Sequence, residues 1–296
     1  MTAAARTQLF DEAFLRRLEQ LELASRRLTA GRMKGERRSV RRGQSVEFAD
    51  YRTYASGDDL RQLDWNAYAR LEKLFLKLFV EEEDVTVHVL VDASRSMDYG
   101  EPNKLDAARR AAGALGYLGL ASMDRVSVAF LGDGTSSALR PMRGKRRAAE
   151  LFAFLSEPRT ERLTGLASAA RAYAGRMRGS GPLILISDLM DPGYLEALRD
   201  LASTRSQLSV LHLLAPDELE PEVAPDARLV DRETGQGVEV SGDDDLVERY
   251  RARLAEWQAE IGAFVSRRGG AYVPVRSDIE LADLLFDVLR RRRVVE

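Results

Sequence analysis

Cysteine is absent from this 296-residue chain, which excludes disulfides, thiolate zinc sites and cysteine nucleophiles together. Histidine is scarce, with only two residues, His88 and His212. No stretch approaches the roughly 20 apolar residues that span a bilayer. The N-terminal MTAAARTQLFDEAF also lacks the apolar core of a signal peptide, so a cytoplasmic protein without membrane insertion is expected. An excess of charge is missing too. The 45 Lys and Arg against 47 Asp and Glu leave a formal charge of -2, no electrostatic basis for holding nucleic acid or an anionic membrane. Recognition must then come from a local site.

What is present is apolar patterning, with 45% hydrophobic residues, enough for one large domain with a smaller module attached. Residues 9–29 repeat Phe10, Phe14, Leu15, Leu18 and Leu21 at helical spacing. Residues 31–50 are basic and aperiodic, and the stretch to residue 84 is dense in aromatics and charges. From Thr86 onward strands alternate with helices. Strands are expected over residues 86–91 (TVHVLV), 125–131 (RVSVAFL), 183–187 (LILIS), 208–214 and 271–275, with helices over residues 104–120, 145–155, 164–177, 194–203, 243–268 and 281–292. A Pro-rich acidic insertion at about residues 216–242 holds a hairpin pattern in which ARLVD and GVEV flank ETGQ. The pattern predicts an α/β fold with a parallel sheet covered on both faces. The domains would be an N-terminal helix and charged module at 1–84, then the sheet domain at 85–296.

The chemistry concentrates where the first strand ends, at Asp92-Ala-Ser94-Arg-Ser96. In a parallel α/β sheet the crevice at the strands' carboxyl ends is where ligands sit. One carboxylate and two hydroxyls facing one point suit a hard divalent ion, Mg²⁺ or Mn²⁺. Three such groups leave an octahedral ion short of ligands. Thr164, opening a helix, and Asp188, following LILIS, are candidates from neighbouring loops. Each has a plainer reading: DASRS as a turn closing a strand, Thr164 as a helix N-cap, Asp188 as a turn residue.

In combination these residues resemble the metal-ion-dependent adhesion site of von Willebrand factor A (VWA) domains, a Rossmann-like fold. The resemblance implies Asp92, Ser94, Ser96, Thr164 and Asp188 as ligands, some direct and some through water, with Mg²⁺ or Mn²⁺ bridging to a Glu or Asp of a protein partner. A second run, Gly43, Glu47-Phe48, Arg52, Tyr54, Gly57-Asp58-Asp59, Arg61, Asp64-Trp65 and Ala69-Arg70, is similar to the hallmark of bacterial domain-of-unknown-function family 58. That family places the run ahead of a VWA-like domain. Its charges suggest an ion-pair cluster with Trp65 as apolar anchor.

The resemblance implies a non-enzymatic, metal-dependent interaction module working with a MoxR-type AAA+ ATPase. The alternative is a Mg²⁺-dependent hydrolase or phosphotransferase on a Rossmann-like scaffold. Against it, Ser94 stands where aspartyl-phosphate enzymes of that architecture carry a second carboxylate, and no GxxxxGK[ST] loop occurs. A third option is a degenerate VWA fold that binds through the charged module instead. His88 and His212 lie inside apolar strand patterns and are expected as core or sheet-surface residues, outside the site.

Overall fold

The computed structural model describes residues 10–29, 48–54, 63–79, 85–132, 135–157, 165–177, 180–221, 227–230, 237–240 and 244–285. In chain order the elements are α1 (Glu12–Thr29), β1 (Phe48–Thr53), α2 (Trp65–Leu71), β2 (Phe75–Phe79), β3 (Thr86–Asp92), α3 (Lys104–Ala121), β4 (Arg125–Gly132), β5 (Thr135–Ala138), β6 (Met142–Arg143), α4 (Ala148–Ser156) and α5 (Leu166–Ala174). There follow β7 (Pro182–Ser187), α6 (Tyr194–Ala202), β8 (Gln207–Leu214), α7 (Pro216–Leu219), β9 (Ala227–Val230), β10 (Gly237–Val240), α8 (Asp244–Ser266), β11 (Tyr272–Arg276) and α9 (Leu281–Asp283). The chain forms two compact units: Met1–Ala24 with Val85–Glu296, and Ser25–Asp84. The N-terminal helix, grouped by its sequence with the charged module, thus begins in the larger unit.

The larger unit is a seven-stranded sheet in the order β11-β8-β7-β3-β4-β5, with β6 also on β4. The five long strands β11, β8, β7, β3 and β4 run parallel. Only the short β5 and β6 are antiparallel. From β3 the chain steps to β4 on one side and later to β7 on the other, so the strand order reverses at β3. In doubly wound sheets ligands bind at the carboxyl ends of the strands on either side of such a reversal, here β3 and β7. The fold is therefore the mixed α/β, Rossmann-like one that the alternating pattern predicts.

Strand side chains alternate between two buried layers. Val89, Val91, Val128, Ile184, Ile186 and Leu211 pack with α3 and α4 on one face. Leu90, Ala129, Leu183, Leu185 and Val210 pack with α5, α6 and Phe264 of α8 on the other. Covering both faces is why these strands read as continuous apolar runs. Phe10, Phe14 and Leu18 join the first layer, where Phe10 stacks on Phe152 at 4.8 Å between ring centroids. A Cβ at Gly113 would come within 2.6 Å of Phe10, so the glycine in α3 admits this ring. Of the two places open to them, core and sheet surface, His88 and His212 both take the core. Among the described residues no helix is long and apolar enough to cross a membrane.

The insertion holds the expected hairpin, β9 pairing antiparallel with β10 from Gly237↔Val230 to Val240↔Ala227. The expected turn ETGQ lies outside the described residues, as does most of the helix predicted over 281–292. In the smaller unit β1 pairs antiparallel with β2 across a bulge between Phe48 and Asp50. Asp64 is buried, and its Oδ1 accepts the amide hydrogens of Asn66 and Ala67 at 2.9 and 3.1 Å, capping α2. Trp65 does not anchor this unit as expected. It is 63% exposed, while Leu63 and Leu76 are buried and face each other across a bridge. Trp65 is the first residue of α2 and projects from the capped turn, which leaves its ring outside. Asp58, Asp59 and Arg61 of the expected ion-pair cluster lie outside the described residues.

Candidate metal centre

Asp92 is the last residue of β3, where the pairing with β7 has just ended at Val91↔Ile186. Asp188 directly follows Ser187, the last residue of β7. Two parallel strands in register therefore deliver a carboxylate each to the same edge of the sheet. Both are buried, at 1% and 0% exposure.

The loop after β3 turns on its own side chains. Asp92 Oδ1 accepts the Ser94 amide hydrogen at 2.9 Å, a turn that Asp favours because its carboxylate mimics a backbone carbonyl. Residues Arg95–Met97 form one 3₁₀ turn, pinned by the fully buried Met97. The turn points both hydroxyls inward. Ser94 Oγ and Ser96 Oγ are 2.9 Å apart, and Ser96 Oγ donates to Asp188 Oδ1 at 3.2 Å.

The loop after β7 is held as firmly. Ser187 Oγ donates to Asp92 Oδ2 at 2.5 Å and accepts the Leu189 amide hydrogen at 2.9 Å. Asp188 Oδ1 also accepts from the Met190 amide at 3.1 Å. Leu189 sits at φ 54, a left-handed conformation uncommon for a branched residue, which the surrounding bonds must hold in place. Its side chain is buried. His212 Nε2 lies 3.0 Å from the Asp188 carbonyl oxygen and its Nδ1 lies 2.6 Å from the Tyr272 hydroxyl. Since a carbonyl only accepts, Nε2 carries the proton and Nδ1 accepts from Tyr272. Burial pushes this histidine's pKa down to about 4, so it is neutral at pH 7. Asp191 accepts amide hydrogens from Leu166 and Gly193, tying the start of α5 to the Asp188 loop.

Four of the five candidate ligands are thus described, and the structure brings all four together: Asp92, Ser94, Ser96 and Asp188. Thr164 lies outside the described residues. Among the described residues no three His, Cys, Asp or Glu side chains are grouped to hold a metal, so the donor set is two carboxylates and two hydroxyls. Two further side chains enter that the sequence reading missed. Lys104 is fully buried, and its Nζ lies 2.7 Å from Asp188 Oδ2 and 2.6 Å from Glu218 Oε1. Glu218 is fixed in turn by the Ala215 amide, which donates to Oε2 at 2.8 Å. A signal for Lys104 was present in its position. It is the first residue of α3, where the helix dipole disfavours a cation, so an acidic partner there was to be looked for.

The electrostatics are unbalanced. Asp92, Asp188 and Glu218 oppose the single Lys104, leaving two negative charges in excess when all are ionised. Asp92 bears the consequence. Burial, and then the charge of Asp188, raise its pKa to about 7 against the pull of its bonds from Ser187 and Ser94. A cleft of about 410 Å³ floored by Ile186, Leu213 and Val275 is lined by none of the four candidate ligands.

The family model described as "Protein of unknown function DUF58" matches residues 50–260. The chain is 27% identical over 284 residues to the uncharacterized protein Rv1480 of Mycobacterium tuberculosis, covering 93% of this chain and 89% of that one. The uncharacterized protein Mb1516 of Mycobacterium bovis matches to the same extent. Among solved structures, the conserved hypothetical protein BatB from Bacteroides thetaiotaomicron aligns with 20% identity and a TM-score of 0.41, over 65% of this chain and 90% of that one. An aerotolerance-related membrane protein from Bacteroides fragilis aligns with 15% identity and a TM-score of 0.43, over 71% and 100%.

Proposed function

The chain belongs to the DUF58 family, and from that premise we propose that its sheet domain is a VWA-like module that grips a protein partner through one divalent ion, Mg²⁺ or Mn²⁺. The observation that carries this reading is the pair Asp92 and Asp188. Two buried carboxylates from adjacent parallel strands meet at the strand-order reversal, with two hydroxyls beside them and more negative charge than Lys104 offsets. Burying like charges without compensation is costly, and a hard divalent ion is the compensation this all-oxygen set fits.

Asp92, Ser94, Ser96 and Asp188 would hold the ion, with Thr164 as a further ligand. When bound, it supplies a positive centre on which a partner's Glu or Asp can close. This chain's residues fix the geometry: the Ser187 and Ser94 bonds orient Asp92, and the Ser96 and Met190 bonds orient Asp188. The module does not turn over a substrate in this reading; a molecule seated in the 410 Å³ cleft would not touch the four ligands. The partner we propose is a MoxR-type AAA+ ATPase, with this chain as its adaptor or assembly factor.

The test is association of the full chain with such an ATPase, measured with Mg²⁺ present and again with chelator. Binding that needs Mg²⁺ and disappears in Asp92→Ala supports the reading. Binding that survives both treatments overturns the metal bridge.

A further inference from the structure

Lys104 occupies ground that a metal ion would claim. Its ammonium is completely enclosed between Asp188 Oδ2 and Glu218 Oε1, at 2.7 and 2.6 Å. The other oxygen of Asp188 already accepts from Ser96 Oγ and the Met190 amide. A cation approaching Asp188 therefore meets either the serine or the ammonium. A serine hydroxyl can rotate and offer a lone pair to the ion, whereas an ammonium has no lone pair and repels it.

We infer that Lys104 is the resident counter-cation of this site, that it competes with a divalent ion for Asp188, and that Glu218 is the carboxylate to which the ammonium withdraws when the ion binds. This rests on the metal-site reading above. Charge bookkeeping favours the exchange: with a divalent ion on Asp92 and Asp188, both carboxylates are neutralised, and Lys104 remains neutralised by Glu218. Glu218 is placed for this. Its second oxygen is anchored by the Ala215 amide, and its carbonyl oxygen accepts the Tyr250 hydroxyl at 2.6 Å, so the ammonium moves toward Glu218 rather than the reverse. The lysine thereby sets the metal concentration at which the site fills. Two like charges a few ångströms apart inside a protein repel strongly enough to change affinity on the order of a hundredfold.

The experiment is calorimetric titration of Mn²⁺ into chelator-stripped full chain, comparing wild type with Lys104→Met, Lys104→Gln and Glu218→Gln, with circular dichroism to check folding. Lys104→Gln keeps a neutral donor toward both carboxylates and serves if the methionine variant does not fold. The expected result is affinity raised at least tenfold by either lysine substitution and lowered several-fold by Glu218→Gln. The difference should persist in 0.5 M salt, roughly where surface charge effects are screened. Wild type that binds while Lys104→Gln binds equally or more weakly overturns the competition and leaves the metal site standing. No binding by wild type or by any variant overturns both.

Discussion

Strand β3 carries two buried polar clusters four residues apart, and they are of opposite kinds. Around His88 the groups are neutral. His88 Nδ1 lies 2.8 Å from the Tyr173 hydroxyl, Ser127 Oγ donates to the Leu139 carbonyl at 3.0 Å, and burial lowers the histidine's pKa to about 4. Its Nε2 is buried with no hydrogen-bond partner among the described residues, a tolerable cost for an uncharged ring. Around Asp92 the groups are charged, each carboxylate oxygen has a donor, and negative charge still exceeds positive. The first cluster carries no net charge, whereas the second carries a negative excess that a further cation would offset under the proposed function. This contrast on a single strand sets the candidate site apart from ordinary buried polarity.

The contrast can be broken or sharpened by substitution. The largest effect is expected from Asp188→Ala, which leaves Lys104 with Glu218 as its one remaining acidic contact in a fully buried position. Removing one member of a buried ion pair costs about 3–5 kcal/mol, to be read by urea unfolding in chelator. The same measurement on His88→Phe should move stability by only about 1 kcal/mol, because Ser127 Oγ remains 3.3 Å from the Tyr173 hydroxyl. A drop as large as that of Asp188→Ala would erase the distinction between the clusters.

The two clusters on β3 should also respond to pH with opposite sign. Asp92 is raised from 3.8 to about 7, so between those values the folded state holds a proton that the unfolded state releases. Its contribution without metal is full below pH 4 and lost as pH rises through 7. Asp92→Asn removes that loss, so its melting temperature in chelator should exceed wild type's at pH 8 but not at pH 4. His88 is lowered from 6.5 to about 4, so its contribution is full above pH 6.5 and lost as pH falls toward 4. His88→Phe should therefore flatten only the acid side. Metal affinity should weaken up to about tenfold per pH unit below 7, because the ion must displace the Asp92 proton. Calorimetry in buffers of different ionisation heat would detect the released proton, and its absence at pH 6 would contradict the raised pKa.

The same comparison shows what a sequence can and cannot disclose. The long strands were legible because burial on both faces demands unbroken apolar runs such as TVHVLV and LILIS. The short β5 (TSSA) and β6 carry no such run; they exist because β4 offers an edge to pair with. In the smaller unit, charged residues interrupt the alternation of β1 and β2, and its strands went unread. Asp92, Ser94 and Ser96 were legible because one turn holds them together, and Asp188 because it ends a buried strand. Glu218 was not, and Lys104 showed only its unfavourable place at the start of α3, with no sign of its partners. Lys104 lies 84 residues before Asp188, and Glu218 lies 114 residues after Lys104, so only the folded sheet reveals that one ammonium bridges two acids.

The central claim is that the Asp92 cluster is a divalent-metal site while the His88 cluster is core. It is tested most directly by titrating Mn²⁺ and Mg²⁺ into chelator-stripped wild type, Asp92→Ala, Asp188→Asn and His88→Phe in one calorimetric series. The account predicts saturable one-to-one binding in wild type and His88→Phe, and its loss in both aspartate variants. Equal heats from all four proteins up to millimolar metal would contradict it.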